Sequence, residues 1–451
     1  MSVEKINKDF QDLFVQGKEL LYNGVNDLMN EKRETAFNRF IKGGIPDKKN
    51  ENYKNTDLSK IYERDYNVVL NYHRQDVDLN DVFTCDVPNL DTHLVLTTNG
   101  WYYARNHELS GLPDGVIVCS LQEASIKHKD LFEKHYGKYT ISDNGVTDLN
   151  TAFAQDGYFI YVPENVILEK TIQIVNLMRA NADLMSFQRN LIIIGKNSQA
   201  KFMVCDHALS SVNFLSNNLT EICAEENAVV DYYQLQSQTL KCSLIDSVFV
   251  NQEKNSNVLN HTVTLYGGLI RNNIFTKLSG ENAENHTYGM YLTDSVQHVD
   301  NYTYIDHASA KCFSKENFKG VLDDKSTVGF TGRIEVRPDS QQTEAYQNNN
   351  NLLISDDAKV FTKPQLVIDA DDVKCSHGAT VGQIDEDALF YLRSRGIGAK
   401  EARMMMVFAF TNEIIGKIRI EPIRERVAQL VEKRLRGEDS HCDACKLQCN
   451  K

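Results

Sequence analysis

Proline is scarce in this sequence: there are seven in 451 residues, and none lies between Pro163 and Pro338. Proline lacks the backbone N–H that a sheet ladder uses, so this long gap suits strands bonded on both sides. Long apolar runs are missing as well. The longest near the C-terminus, Met404 to Phe410, falls far short of the roughly 20 residues that cross a bilayer. An excess of positive charge is also absent. Lys and Arg number 49 against 62 Asp and Glu, a net charge of −13, which argues against a sequence-independent grip on nucleic acid phosphates. The opening MSVEKINKDFQDLF puts charges where a secretory leader has an apolar stretch, so the expected location is the cytoplasm. Disulfides rarely persist there, and the ten cysteines are read as thiols or ligands. No Gly-x-x-x-x-Gly-Lys-Ser/Thr phosphate loop occurs, so any ATP chemistry belongs to another chain.

What is present is an ordinary folded composition, 41% hydrophobic and 25% charged, and it changes character along the chain. Residues 1–100 read as a helical domain: Ile6, Phe10, Leu13 and Phe14 recur at helical spacing, as do Phe37 and Phe40 before Gly43 and Gly44. Residues 101–156 read as a mixed α/β connection, with a strand at Val116 to Cys119 and a capping box in Ser120-Leu-Gln-Glu123. From Gly157, short β-rich runs follow one another: Tyr158 to Val162, Ile172 to Val175, Leu191 to Ile194, Lys201 to Cys205, Val229 to Tyr233, Leu244 to Val250, Val263 to Tyr266 and Tyr302 to Ile305. Polar turns separate them, and no Asn-Gly hairpin or interposed helix does. The expected fold is mainly β, a parallel β-helix (solenoid) over 157–375, with a β-sandwich as the rival. The tetrad Asn348 to Asn351 is expected in an asparagine ladder or a sheet-edge turn. Residues 376–437 read as helices, one capped by Asp385, one from about Ala399 to Ile415, and one that starts at Pro422 and stops before Gly437. A charged tail, 438–451, closes the chain.

Three constellations carry chemistry. Cys375 and His377, at i and i+2 in an extended segment, point the same way, and thiolate plus imidazole suits iron and iron–sulfur clusters. A packed cysteine beside a hydrogen-bonded histidine is the bland alternative. Met404, Met405 and Phe408 lie on a helix that is apolar nearly all round, either ordinary core or a face that docks a partner. In the tail, His441, Cys442, Cys445 and Cys449 have spacing that could hold a metal or sulfur, or form a solvated, reducible end. Cys205, Cys223, Cys242 and Cys312 read as small buried hydrophobes, and His207, His261, His286, His298 and His307 as strand or turn residues. Cys85 and Cys119 belong to no constellation.

The stretch Asp371 to Thr380, DDVKCSHGAT, followed by Ala388 to Ile397, ALFYLRSRGI, resembles the signature of the SufD branch of the SufB/SufD family, which serves the SUF iron–sulfur cluster assembly system. The similarity extends through Phe330 to Val336, Gln347 to Ile354, Leu149 to Phe153 with Asp156-Gly157, Tyr161 to Pro163, and Leu112 to Val116. Glu51 to Thr56, ENYKNT, resembles the family's Glu-x-Trp-basic-x-Thr element, with Tyr53 in place of tryptophan.

That resemblance implies a right-handed parallel β-helix between helical domains. It implies a scaffold subunit rather than an enzyme, paired with a SufB-like homologue and recruiting a SufC-like ABC ATPase through the C-terminal helices. His377 occupies the position implicated in building the nascent cluster, with Cys375 as neighbour or auxiliary ligand. No tightly bound cofactor is expected on the chain alone, only transient iron or an Fe–S cluster shared with the partner. A homodimer in isolation remains an open alternative, and neither nucleic acid nor membrane is an expected partner. Ser376 and Gly378 flank His377 where SufB-like chains carry acidic residues, which argues against a SufB-like paralogue. Two other readings are a β-helix enzyme acting on polysaccharide, and an interaction protein with no role in metal handling.

Overall fold

The computed structural model describes residues 3–71, 90–103, 109, 111–141 and 144–438. Its centre is a parallel β-helix of eight coils between helical segments, and each coil gives one strand to each of two ten-stranded sheets. In sequence order, the strands of the first sheet run from Tyr158–Val162 and Leu184–Ile194 to Thr327–Val336 and Lys359–Ile368. Those of the second run from Thr171–Met178 and Gln199–Ala208 to Thr343–Leu353 and Val373–Gln383. All coil-to-coil pairs are parallel, which excludes the sandwich. The proline distribution has a physical reason: Pro364 lies on the edge strand Lys359–Ile368, above Gly332, and the strands of the inner coils hold no proline.

Two boundaries differ from the sequence reading. Asn67–Val68 and Thr92–Thr98, within the segment expected to be helical, pair in parallel with Leu184–Ile194 and Thr171–Met178. Thr92–Thr98 is rich in β-branched side chains and half of it faces the interior, so it extends the second sheet. At the other end, Val373–Gln383 continues the ladder past 375, because its glycines and serine occupy rungs on Thr343–Leu353 rather than a loop.

Several expected local signals form as predicted. Asp385 accepts the N–H groups of Asp387 and Ala388 at the start of the helix Glu386–Ser394. The helices Ala399–Ile415 and Glu421–Arg436 follow, the latter closed by Gly437 in the left-handed region. The capping box is only half made. Ser120 Oγ accepts the Glu123 N–H at 2.9 Å, while the Glu123 carboxylate turns to Lys127 instead.

The coils turn on a ladder that no run of asparagines marks. Asn165, Asn197, Asn227, Asn255 and Asn282 all sit at φ between 56° and 63°. Each amide donates to the one before it at 2.7–3.2 Å, with 27 to 32 residues between rungs. Asparagine tolerates this left-handed backbone better than other side chains with a Cβ. The tetrad 348–351 lies elsewhere, inside the strand Thr343–Leu353. There Asn349, Asn351 and the Tyr291 hydroxyl close a buried ring of hydrogen bonds of 2.6–3.0 Å. Gly320 leaves room for it, since a Cβ there would meet the Tyr291 ring at 1.9 Å.

The interior mixes aliphatic and polar layers. Ile160, Ile192, Ile222, Val248 and Val258 belong to one apolar cluster, whereas Asp206 and Asp246 are buried and satisfied by Asn176 and Gln234. Burial, and then the neighbouring Asp206 charge, push Asp246 up to about 7. In an unfolded chain an aspartate titrates near 3.9, so the native state binds the extra proton between about pH 4 and 7. This contribution to stability is complete at low pH and lost as pH rises through 7. Asp246→Asn is therefore expected to raise the thermal midpoint relative to wild type at pH 8, with a smaller gain at pH 5. Melting curves at both values by circular dichroism check the sign.

Outside the coils, the N-terminal helices cover the first sheet, with Phe10, Phe14, Phe40 and Phe153 clustered on Met185, Phe187, Leu215 and Ile245. The C-terminal helices cover the second sheet, where Val407, Ile414, Ile423, Val427 and Leu430 pack on Tyr233, Leu259, Val263 and Met290. Lys359–Ile368 and Val373–Gln383 end the β-helix with one ladder partner each among the described residues.

Candidate functional site

The last coil positions the Cys-x-His pair. In Val373–Gln383, Cys375 is in register with Ala345 and His377 with Gln347, both of which face the interior one coil below. Side chains alternate along a strand, so Cys375 and His377 share the interior-facing side. Cys375 is half-buried against Ala345, Ile334 and Val373, whereas His377 is exposed, because no coil stacks above it among the described residues. Lys374 points to the opposite face and pairs with Glu344 at 3.0 Å. Gly378 sits beside the previous rung, and a Cβ there would meet Asn348 Oδ1 at 3.2 Å.

This geometry defines what the pair can do. Burial raises the Cys375 thiol, so it is protonated at neutral pH and must lose its proton to ligate iron. Among the described residues, no group of three or more His, Cys, Asp and Glu stands close enough to hold a metal ion. The rung therefore offers at most two protein ligands, and a cluster usually takes four.

The other candidates fall in different places. Met404 lines a cavity of about 390 Å3 between the β-helix and the C-terminal helices, together with Leu292, Val321, Ile384 and Val407. Met405 is 45% exposed and Phe408 packs against the core cluster, so the helix Ala399–Ile415 presents one outward apolar edge rather than an unpartnered face. His441, Cys442, Cys445, Cys449 and Cys85 lie outside the described residues. Cys205, Cys223, Cys242 and Cys312 are buried, and burial pushes Cys223 and Cys312 up to about 12 and 11. The five histidines all lie in strands. His261 is buried with Nε2 at 3.0 Å from the Ile414 carbonyl, and burial holds its ring down to about 4.

The ENYKNT element also has a structural role. Tyr53 lies under the buried Arg271 guanidinium at 4.4 Å, Thr56 donates to Asp300, and Asp300 accepts from Arg271 at 2.6 Å. Glu51 reaches Lys363 on the terminal edge strand. The segment thus ties the N-terminal helices to the middle and the end of the β-helix.

Comparison with known proteins bears on this arrangement. Residues 176–410 match the SUF system FeS cluster assembly SufBD core domain, and residues 4–174 match the SufBD protein N-terminal region. The chain belongs to the SufBD family. A SufBD family protein of Synechocystis is 26% identical over 95% of this chain and 96% of its own length. The iron–sulfur cluster assembly protein SufD of Escherichia coli is 38% identical over 41% of this chain and 44% of its own length. SufD of Bacillus subtilis is 27% identical over 71% of this chain and 74% of its own. The SufBD core match takes in Cys375, His377 and the Met404 to Phe408 stretch, and the tail cysteines lie beyond it. Members of the SufBD family are components of Fe–S cluster assembly. Among the described residues, no helix is long and apolar enough to cross a membrane.

Proposed function

We propose that this chain is the SufD-like scaffold subunit of a cytoplasmic SUF complex, pairing with a SufB-like homologue and recruiting a SufC-like ABC ATPase. The observation that carries this reading is the terminal rung. Among the described residues, its two strands keep a free ladder edge, and Cys375 and His377 stand on it with too few ligands for a cluster. A partner β-helix that docks there would extend the ladder and add the missing ligands. Iron or a nascent Fe–S cluster is then cargo held between subunits. Catalysis of ATP hydrolysis falls to the partner. The exposed edge at Met405, with Phe390 and Tyr391 on the preceding helix, supplies an apolar surface for the ATPase.

Co-expression with SufB-like and SufC-like partners, followed by anaerobic purification, tests the reading. The expected result is one complex whose mass contains all three chains and which carries iron and sulfide. A homodimer that ignores both partners would overturn it. A chain truncated before Asp385 is expected to keep the SufB-like partner and to lose at least about 90% of ATPase recovery in a pull-down, since truncating interface anchors removes most of the binding energy.

A further inference from the structure

Beneath His377 lies a polar chain that the cluster-assembly reading leaves unused. Glu316, fully buried two coils down, accepts the Thr303 hydroxyl at 2.5 Å and the Gln347 Nε2 at 2.7 Å. A carboxylate beside an amide fixes which end of the amide faces it, so Gln347 turns Nε2 to Glu316 and Oε1 away. Gly332 makes this pose fit, since a Cβ there would lie 2.3 Å from Gln347 Nε2. Gln347 is completely buried, yet among the described residues its Oε1 has no hydrogen-bond partner. Buried polar atoms are rarely left so, and the next rung above Gln347 in the ladder is His377.

We infer that Gln347 is a positioning residue for His377: a turn of the exposed imidazole brings one ring N–H onto Oε1, which accepts it and leaves the other ring nitrogen free to face iron. The inference rests on His377 being a ligand. It adds the outer partner that fixes a ligating imidazole's tautomer and rotation. Glu316 acts one step further back, holding the amide in the accepting pose. The free ladder edge stays clear, because the chain of bonds approaches His377 from inside the coil.

Nuclear magnetic resonance of the full chain, free of iron and isotopically labelled at the histidine ring nitrogens, tests this without cluster activity. The His377 signals are those that vanish in His377→Ala. At a pH where the ring is neutral, wild type is expected to hold His377 in one tautomer. Gln347→Leu is expected to return it to the mixture of a free imidazole. Gln347→Glu should retain the single tautomer, since two buried carboxyls share a proton and one oxygen still faces His377. A free-imidazole mixture in wild type overturns the inference even if no variant folds, and so does an unchanged tautomer in a folded Gln347→Leu chain. In cells, Gln347→Leu should lower cluster maturation about 10-fold. If instead His377→Ala matures clusters normally, the ligand role fails while the tautomer measurement still judges Gln347.

Discussion

His377→Ala is expected to fold as wild type does and to lose cluster maturation in cells, down to the level of a strain that lacks the gene. Both halves of the expectation follow from the position of the residue. The side chain is exposed on the last coil, so truncation should cost no more than about 1 kcal/mol, the net worth of the one hydrogen bond inferred to Gln347. The chemical loss should be large. In the proposed role the rung offers two soft or borderline side chains, and Cys375 is the poorer candidate because burial raises its thiol. With the imidazole gone, a partner would have to supply every ligand except Cys375. His377→Cys, which keeps a ligand suited to iron, is expected to recover part of the activity. Thermal melting together with the activity of an Fe–S reporter enzyme reads both halves. Normal maturation in a folded His377→Ala chain would remove the assignment.

Arg189→Ala is expected to cost about 3–5 kcal/mol, as befits a broken buried ion pair. Arg189 is 1% exposed on Leu184–Ile194 and donates to Glu221 Oε2 at 2.8 Å and to Thr151 Oγ1 at 2.5 Å. Its guanidinium lies 4.7 Å from the Tyr136 ring centre. Glu221 in turn accepts the backbone N–H groups of Gly137 and Tyr139, so the pair joins two coils to the helices packed outside them. Removing the cation leaves a carboxylate in a low-dielectric interior with only backbone donors, where charge is expensive. A double variant, Arg189→Met with Glu221→Gln, should cost less than the single change, because no lone charge remains. Urea unfolding with the m-value monitored measures both. A loss under about 1 kcal/mol for Arg189→Ala would show that Glu221 is solvated or protonated at little cost.

The β-helix was legible where its coils are aliphatic. Every apolar run expected between Tyr158 and Ile305 lies in a strand. The coils in between escaped because their buried positions are polar on both faces: Asn218, Thr220, Asn285 and Thr287 point into the coil, while Asn217 and Glu221 on the outer face of Phe214–Ala224 are covered by the N-terminal segments. Alternation of apolar and polar residues fails as a signal when the interior itself hydrogen-bonds. The asparagine ladder escaped for a different reason. Its rungs are single residues at unequal spacing, while the conspicuous tetrad 348–351 serves an interior ring with Tyr291.

By itself the sequence determined the class of the fold, the helices at its ends and the pairing of Cys375 with His377 on one side of an extended segment. Each of these depends on neighbours a few residues apart: caps, glycine stops and the period of a strand. Only the tertiary structure decided that this segment is the last rung of the ladder, that His377 is exposed while Cys375 is half-buried, and that Gln347 and Glu316 lie beneath it. Those facts depend on which residue stacks over which, and the coil length varies by several residues from turn to turn. A register set by that many unequal coils is fixed only when the whole solenoid closes its hydrogen bonds.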